Sequence, residues 1–391
     1  MNYILFDPKD IRENLLPLTY FRPVSEIRCG IFTIKEKWEY FLQTKVSVIS
    51  ETYLQEKFPP LFSEDNIYIN ASLFPDNELI SEINRLKYGE KLYRENILIA
   101  FRSGKMYWKD LFEAEAVRKE TGKLIDGIFN VYDIFIKNGE QISKDFDRIT
   151  AGKKSLPLPG SNTLIGKHPV FIEQGARVEA TIINTEEAPV YIGKDVVVLE
   201  GSMIRGPFAA LEGAVVKMGA KIYGGTTLGP RVKAGGEIKS VVFLANANKG
   251  HDGYLGDSVI AEWCNLGAGT NNSNLKNNYS NVKLWNYPKK DFIDTGLQFC
   301  GLIMGDHSKC GIATMFNTGS LVGVCSNIFG GDYQPKFFPS FKWGAQEFTD
   351  YRFDKAQEVA TAVMKRRGVK FDKIEQNLFE QVYKLTKQKE K

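Results

Sequence analysis

From Ile192 onward every sixth residue is apolar for eight consecutive steps: Ile192, Val198, Ile204, Ala210, Val216, Ile222, Leu228 and Ala234. With 43% hydrophobic residues in the chain, one phase does this by chance about once in a thousand trials, so the repeat dictates the fold. A second register runs four residues behind each of these, at Val196, Ser202, Phe208, Ala214, Ala220, Thr226, Val232 and Ile238, mostly small or β-branched. The beat resumes at Tyr254, Ile260 and Leu266, and again at Met304, Cys310, Phe316, Val322 and Ile328. An α-helix repeats near 3.6 residues and a strand near 2, so neither produces a period of six.

Such a period describes a solenoid of short strands, each hexad being one flat strand and a corner, with three hexads to a coil. The apolar residue and its small companion face inward. Glycine often follows the apolar position, as at Gly193, Gly229, Gly267, Gly305 and Gly323, because corners need torsions that glycine adopts without strain. A single coil cannot bury its own inner face, so stability comes from stacking neighbours. On these residues the segment 164–331 resembles the hexapeptide-repeat acyltransferases, which implies a left-handed parallel β-helix.

Length and composition narrow the rest. A chain of 391 residues accommodates two or three domains. A formal charge of +4 is too small to argue for nucleic acid or an anionic membrane. No apolar run approaches the ~20 residues of a membrane span, and the opening residues read as a strand and not as a signal peptide. Five cysteines, Cys29, Cys264, Cys300, Cys310 and Cys325, form no C-x-x-C pair and read as reduced thiols of a cytoplasmic protein. The three histidines, His168, His251 and His307, have no second ligand type at metal spacing, and no metal site is expected of these residues.

Residues 1–150 alternate strand and helix patterns, as an α/β layer domain does. Tyr3–Phe6, Val46–Ile49, Ile67–Ile69 and Ile97–Phe101 read as strands. Thr33 with Glu36 forms a capping box opening a helix, and a second helix is expected over Asn77–Leu86. Residues 151–163 read as a linker. Two excursions from the solenoid are expected, near 241–253 and 271–294. The six-beat ends after Gly331, and residues 332–391 carry helical patterns near 355–367 and 373–385 that suit a cap on an open solenoid end.

The most specific stretch is Lys249-Gly250-His251-Asp252-Gly253-Tyr254-Leu255-Gly256-Asp257, followed by Asn265-Leu266-Gly267-Ala268-Gly269-Thr270. It resembles the acetyltransferase half of the bifunctional N-acetylglucosamine-1-phosphate uridyltransferase/glucosamine-1-phosphate acetyltransferases, whose segment reads G-H-x-x-Y-L-G-D and then N-I-G-A-G-T. Chemistry fits the residue types: an amine attacking a thioester loses a proton, and a histidine near its unperturbed pKa accepts one at cellular pH. The resemblance implies His251 as general base, Tyr254 and Lys239 as sugar-phosphate contacts, and Asn274 beside acetyl-coenzyme A. Asn265 suits the incoming amine or the developing oxyanion. The family's arginine in an R-P-G turn is missing, Tyr223-Gly224-Gly225 standing in its place.

Leu15-Leu16-Pro17-Leu18-Thr19-Tyr20-Phe21-Arg22-Pro23 resembles the end of the sugar-nucleotidyltransferase signature L-R-P-L-T-x-x-R-P-K. The glycine-rich triphosphate loop that should precede it is replaced by Phe6–Asn14, without glycine, and the N-G-D corner by Asn70-Ala71-Ser72. The whole chain resembles a divergent subgroup of the bifunctional family, with a shortened first domain in which Arg12, Arg22 and Arg28 are candidates for the missing phosphate contacts. The resemblance implies a cytoplasmic homotrimer. It would use acetyl-coenzyme A on an amino-sugar phosphate, with UTP or dTTP and Mg²⁺ belonging to the first domain if it transfers nucleotides. Two alternatives stay open: a nucleotidyltransferase, such as a glucose-1-phosphate thymidylyltransferase, whose β-helix only oligomerises, and a non-catalytic sugar-nucleotide sensor.

Overall fold

The computed structural model describes residues 1–390, which divide into two compact units. The first holds Met1–Ile27, Phe32–Asn130 and Asp372–Val382; the second holds Arg28–Ile31, Val131–Phe371 and the residues from Tyr383 onward. The described residues form seven α-helices: α1 (Lys9–Asn14), α2 (Ile34–Leu42), α3 (Asn77–Asn84), α4 (Asp110–Glu113), α5 (Asp133–Thr150), α6 (Phe353–Arg366) and α7 (Lys373–Lys389). None is long and apolar enough to cross a membrane.

The first unit is a six-stranded mixed sheet of β1 (Asn2–Phe6), β2 (Ser47–Ile49), β3 (Asn66–Asn70), β4 (Glu90–Arg94), β5 (Ile97–Ser103) and β6 (Val117–Glu120), in the order β2-β1-β3-β5-β4-β6. Ile4, Phe6, Ile49, Tyr68 and Phe101 pack into one core with Trp108 and Leu111. Both bonds of the capping box form at the start of α2: the Glu36 backbone N–H donates to Thr33 Oγ1, and the Thr33 N–H to the Glu36 carboxylate.

The second unit is a parallel β-helix, and every residue of the first eight beats and their companions is buried. Inner hydroxyls meet their needs locally: Ser202 donates to the Leu199 carbonyl, Ser308 to Gly323 and Ser320 to Asn317. Coils stack with regular register until one short turn. Val216 pairs with Ala234, eighteen positions on, but Ala234 pairs with Lys249, and Leu228 with Phe243. The stretch 241–253, expected to leave the solenoid, therefore stays within it; a shortened coil shifts the phase. Glu237–Phe243 bends through Ser240 (φ 53°) and serves two faces of the prism in one strand. The second excursion is real and contains an antiparallel hairpin, Lys283–Asn286 with Asp291–Asp294. The β-helix also continues beyond the last beat: Phe338 pairs with Val322, and Gly344 with Ile328. Tyr383 packs on Phe341 there, and Glu390 accepts from the Ser340 N–H at 2.6 Å.

Helix α5 groups with the β-helical unit. Its buried polar side chains act as ties: Asn138 accepts from the Gly30 N–H (2.7 Å) and donates to Thr227 Oγ1 (3.0 Å), and Asp145 accepts from the Ile31 N–H (3.0 Å). All five cysteines are buried, and none is in a disulfide.

Candidate active site

The short coil creates the site. In the strand pairs that follow, Lys233 stacks on Asn248, Asn248 on Asn265, and Asn265 on Lys309, a ladder of outward polar side chains along one face. Alternation sends their neighbours Ala234, Lys249, Leu266 and Cys310 inward. Lys249 is thus a buried lysine in an apolar column. Burial pushes its ammonium down to about 8, and its Nζ donates to the carbonyls of His251 (2.7 Å) and Asp252 (3.2 Å).

Those bonds pin the loop Gly250–Gly253 from below. The Gly269 N–H donates to the Asp252 carbonyl, and the Glu237 N–H to that of Gly253. The His251 side chain stays exposed while its backbone is held on both sides. It lines a cleft of about 660 Å³ together with Asn265, Asn248, Trp263 and the face of α6. A linkage argument gives Lys249 a distinct signature. Its folded pKa lies below that of the unfolded chain, so between about pH 8 and the ordinary lysine value the unfolded state binds more protons, and stability rises with pH across that window. We expect Lys249→Met to melt at or above the wild type at pH 7 and to lose this advantage by pH 10, while the loop loosens because the His251 carbonyl loses its anchor. Melting curves against pH together with amide exchange in the loop measure both effects.

Tyr254 falls on the six-beat, yet the shifted register makes Leu255 the inward residue, paired with Ile238, and leaves Tyr254 on the opposite face. Its hydroxyl accepts from Asn274 Nδ2 at 2.9 Å, and the same Nδ2 reaches Asp257 Oδ2 at 2.6 Å. Burial, reinforced by Asp257, pushes the phenol up to about 12, so it keeps its proton. Burial also raises the Asp257 carboxyl, against the pull of Asn274 and Lys239. Lys239 lies over the Phe299 ring, 5.3 Å from its centroid. Two groups result: His251 with Asn265 in the cleft, and Tyr254 with Asn274, Asp257 and Lys239 beside it in sequence but outside the cleft lining. Asp257 and Lys249 were given no role from the sequence; the inward position of Lys249 follows only from the shortened coil, which the six-beat does not reveal.

The three candidate arginines, Arg12, Arg22 and Arg28, are engaged by partners within the fold. Arg12 is 3% exposed, and its guanidinium is committed to Asp7 (2.8 Å), the Thr19 carbonyl (2.5 Å), Tyr53 Oη (2.7 Å) and the Arg22 carbonyl (3.2 Å). Arg22 is buried and donates to the Leu18 carbonyl, and Arg28, placed in the second unit, donates to the Ile31 carbonyl. Arg12 and Arg22 present no guanidinium to solvent; they tie together the segment that replaced the glycine-rich loop. Asn70 likewise turns inward, its Oδ1 accepting from the N–H and hydroxyl of Ser72.

Residues 3–154 match the sequence model of a family described as sugar nucleotidyl transferase. A bifunctional sugar-1-phosphate nucleotidylyltransferase/acetyltransferase of Sulfurisphaera tokodaii is 34% identical over 101 residues, covering 26% of this chain and 25% of its own. The bifunctional protein GlmU of Bartonella quintana is 26% identical over 263 residues, covering 65% and 50%. Over these spans the chain is similar to the bifunctional GlmU proteins. It spans a quarter to a half of the length of these two curated relatives. The solved structure of the polySia specific acetyltransferase NeuO overlaps 53% of this chain and 99% of its own at 13% identity, with a TM-score of 0.26, too low a value to inform the reading.

Proposed function

We propose that the β-helical unit transfers an acetyl group from acetyl-coenzyme A to the amine of an amino-sugar phosphate such as glucosamine-1-phosphate. The observation that carries this reading is an exposed histidine, held by its backbone, sharing a cleft with Asn265. The neutral amine attacks the thioester carbonyl carbon and its proton passes to His251. Collapse of the tetrahedral intermediate breaks the C–S bond, and the thiolate leaves as coenzyme A after taking up that proton. Asn265 Nδ2 is suited to the developing oxyanion. Tyr254, kept protonated, and Lys239 supply donors for the sugar phosphate, with Asn274 positioning the tyrosine. Thiol release from acetyl-coenzyme A that depends on glucosamine-1-phosphate is the test; a full panel of amino-sugar phosphates without release overturns the reading.

The match over residues 3–154 supports nucleotidyl transfer onto the product by the first unit, with UTP or dTTP as donor. Pyrophosphate release with N-acetylglucosamine-1-phosphate and Mg²⁺ tests it; the described residues gather no group of three or more His, Cys, Asp or Glu to hold the ion unaided. For assembly, one outward face of the β-helix carries Ile165, Ile182, Met203 and Tyr223, each more than 40% exposed, and we propose a homotrimer closed through that face. The double variant Ile182→Asp/Met203→Asp is expected to sediment as a monomer where the wild type sediments as a trimer.

A further inference from the structure

We infer that the cleft beside His251 binds the phosphate groups of a phosphorylated substrate, and that the C-terminal helix α6 supplies half of the cationic wall that holds them. This deepens the acetyl-transfer reading and rests on it for the identity of the ligands. Five basic side chains line the cleft. Lys309 donates its Nζ to the His307 carbonyl at 2.7 Å; the other four are Lys217 and Lys233 from the β-helix, Arg366 from the last turn of α6 and Arg367 just beyond it. No Asp or Glu side chain lines it with them.

The helix is built to present these groups. Ala356, Ala360 and Met364 are buried, the two alanines allowing a close approach to the coils. Val359, Val363 and Arg366, spaced by four and three residues, form the stripe that faces the cleft. Arg367 is fixed in place, donating to Asn248 Oδ1 at 2.7 Å while its carbonyl accepts from Arg231. Asn248 is the rung next to Asn265 in the polar ladder, so the guanidinium lies one coil from the proposed oxyanion contact.

Basic residues in a helix's last turn ordinarily answer the helix dipole. That accounts for Lys365 and Arg366 but not for Lys217 and Lys233, which belong to the β-helix. The four cations also act against one another. The Lys233 ammonium is held below its ordinary value by burial and then by Arg367, Arg366 and Lys217; the Arg367 guanidinium is lowered by burial, Arg231 and Arg366. Such repulsion persists in a fold when a bound anion relieves it, and phosphate geometry suits paired guanidinium and ammonium groups. Two sources share this chemistry, the 3′-phosphate of coenzyme A and the phosphate of the amino-sugar phosphate.

Titration calorimetry on the full chain separates them. The probes are coenzyme A against dephospho-coenzyme A, and glucosamine-1-phosphate against glucosamine. In the wild type the phosphorylated member of at least one pair is expected to bind more tightly, and raised salt to weaken it. Arg366→Gln/Arg367→Gln should lower that affinity about tenfold to a hundredfold and leave the other member unchanged; Lys365→Gln, outside the cleft, should bind as the wild type does. Discrimination in the coenzyme pair assigns the wall to coenzyme A, and in the sugar pair to the sugar phosphate. Lys217→Gln/Lys233→Gln is an independent variant on the β-helix should the helix variant misfold. Equal affinities within both pairs, or folded variants that bind like the wild type, overturn the proposal. His251→Ala is expected to bind normally. Phosphate-dependent binding without acetyl transfer in the wild type would therefore sink the catalytic reading and spare this one, whereas transfer with charge-independent binding would do the reverse.

Discussion

His251→Ala is expected to slow acetyl transfer by about 10²–10⁴ in kcat, the contribution of a positioned general base, with little change in KM for either substrate. The expectation follows from how the residue is held. Its carbonyl is tied to Lys249 Nζ and the neighbouring Asp252 carbonyl accepts from Gly269, so the imidazole is presented by backbone bonds that the substitution leaves intact. The side chain is exposed, so its removal creates no cavity and should shift the melting temperature by little. A rate that collapses in a variant melting like the wild type identifies a chemical role. A rate that survives would move the proton acceptor elsewhere and leave His251 as a loop residue. Restoration by added imidazole would separate base catalysis from a packing defect.

How much of this was legible in the sequence follows from the physics of the repeat. Where coils are of equal length, the six-beat alone named the inward residues, and Ile192 to Ala234 all lie buried. The beat misled at Tyr254, because a coil shortened between Ala234 and Lys249 changes the phase, and a one-residue slip exchanges the two faces of a strand. The same slip frees the tyrosine for Asn274 and Asp257. Helix α5 went unread because its buried face mixes Ile134, Phe135, Ile142 and Phe146 with Asn138, Gln141 and Asp145. Those polar residues are buried for ties to Gly30, Ile31 and Thr227, partners more than eighty positions away that no local pattern reveals. Arg12 lies inside the fold for the converse reason: with Asp7 buried at the end of β1, a cation is needed there. The cationic wall of the cleft was beyond local reading as well, since Lys217 and Arg367 meet only through the docking of α6.

Gly253→Ala is expected to cost about 3 kcal/mol or more, combining backbone strain with overpacking, and to remove most of the acetyl transfer as well. Two independent facts drive this. The residue has φ +118°, beyond the left-handed well that other residues reach at moderate cost. A Cβ there would also lie inside the van der Waals shell of the Thr270 carbonyl oxygen, a backbone atom that cannot turn aside. Relief requires moving either the next coil or the loop that carries His251 two residues earlier, so stability and rate should fall together. Gly219→Ala is the informative control. It too has positive φ, +68°, but open space where its Cβ would be, so only the torsional cost of about 1 kcal/mol applies. With roughly 2–4 °C per kcal/mol for a unit of this size, thermal melts resolve the two. Equal small shifts would mean the coils breathe enough to admit a methyl group at Gly253, with the loop still held by Lys249 and by the backbone bonds to Asp252 and Gly253.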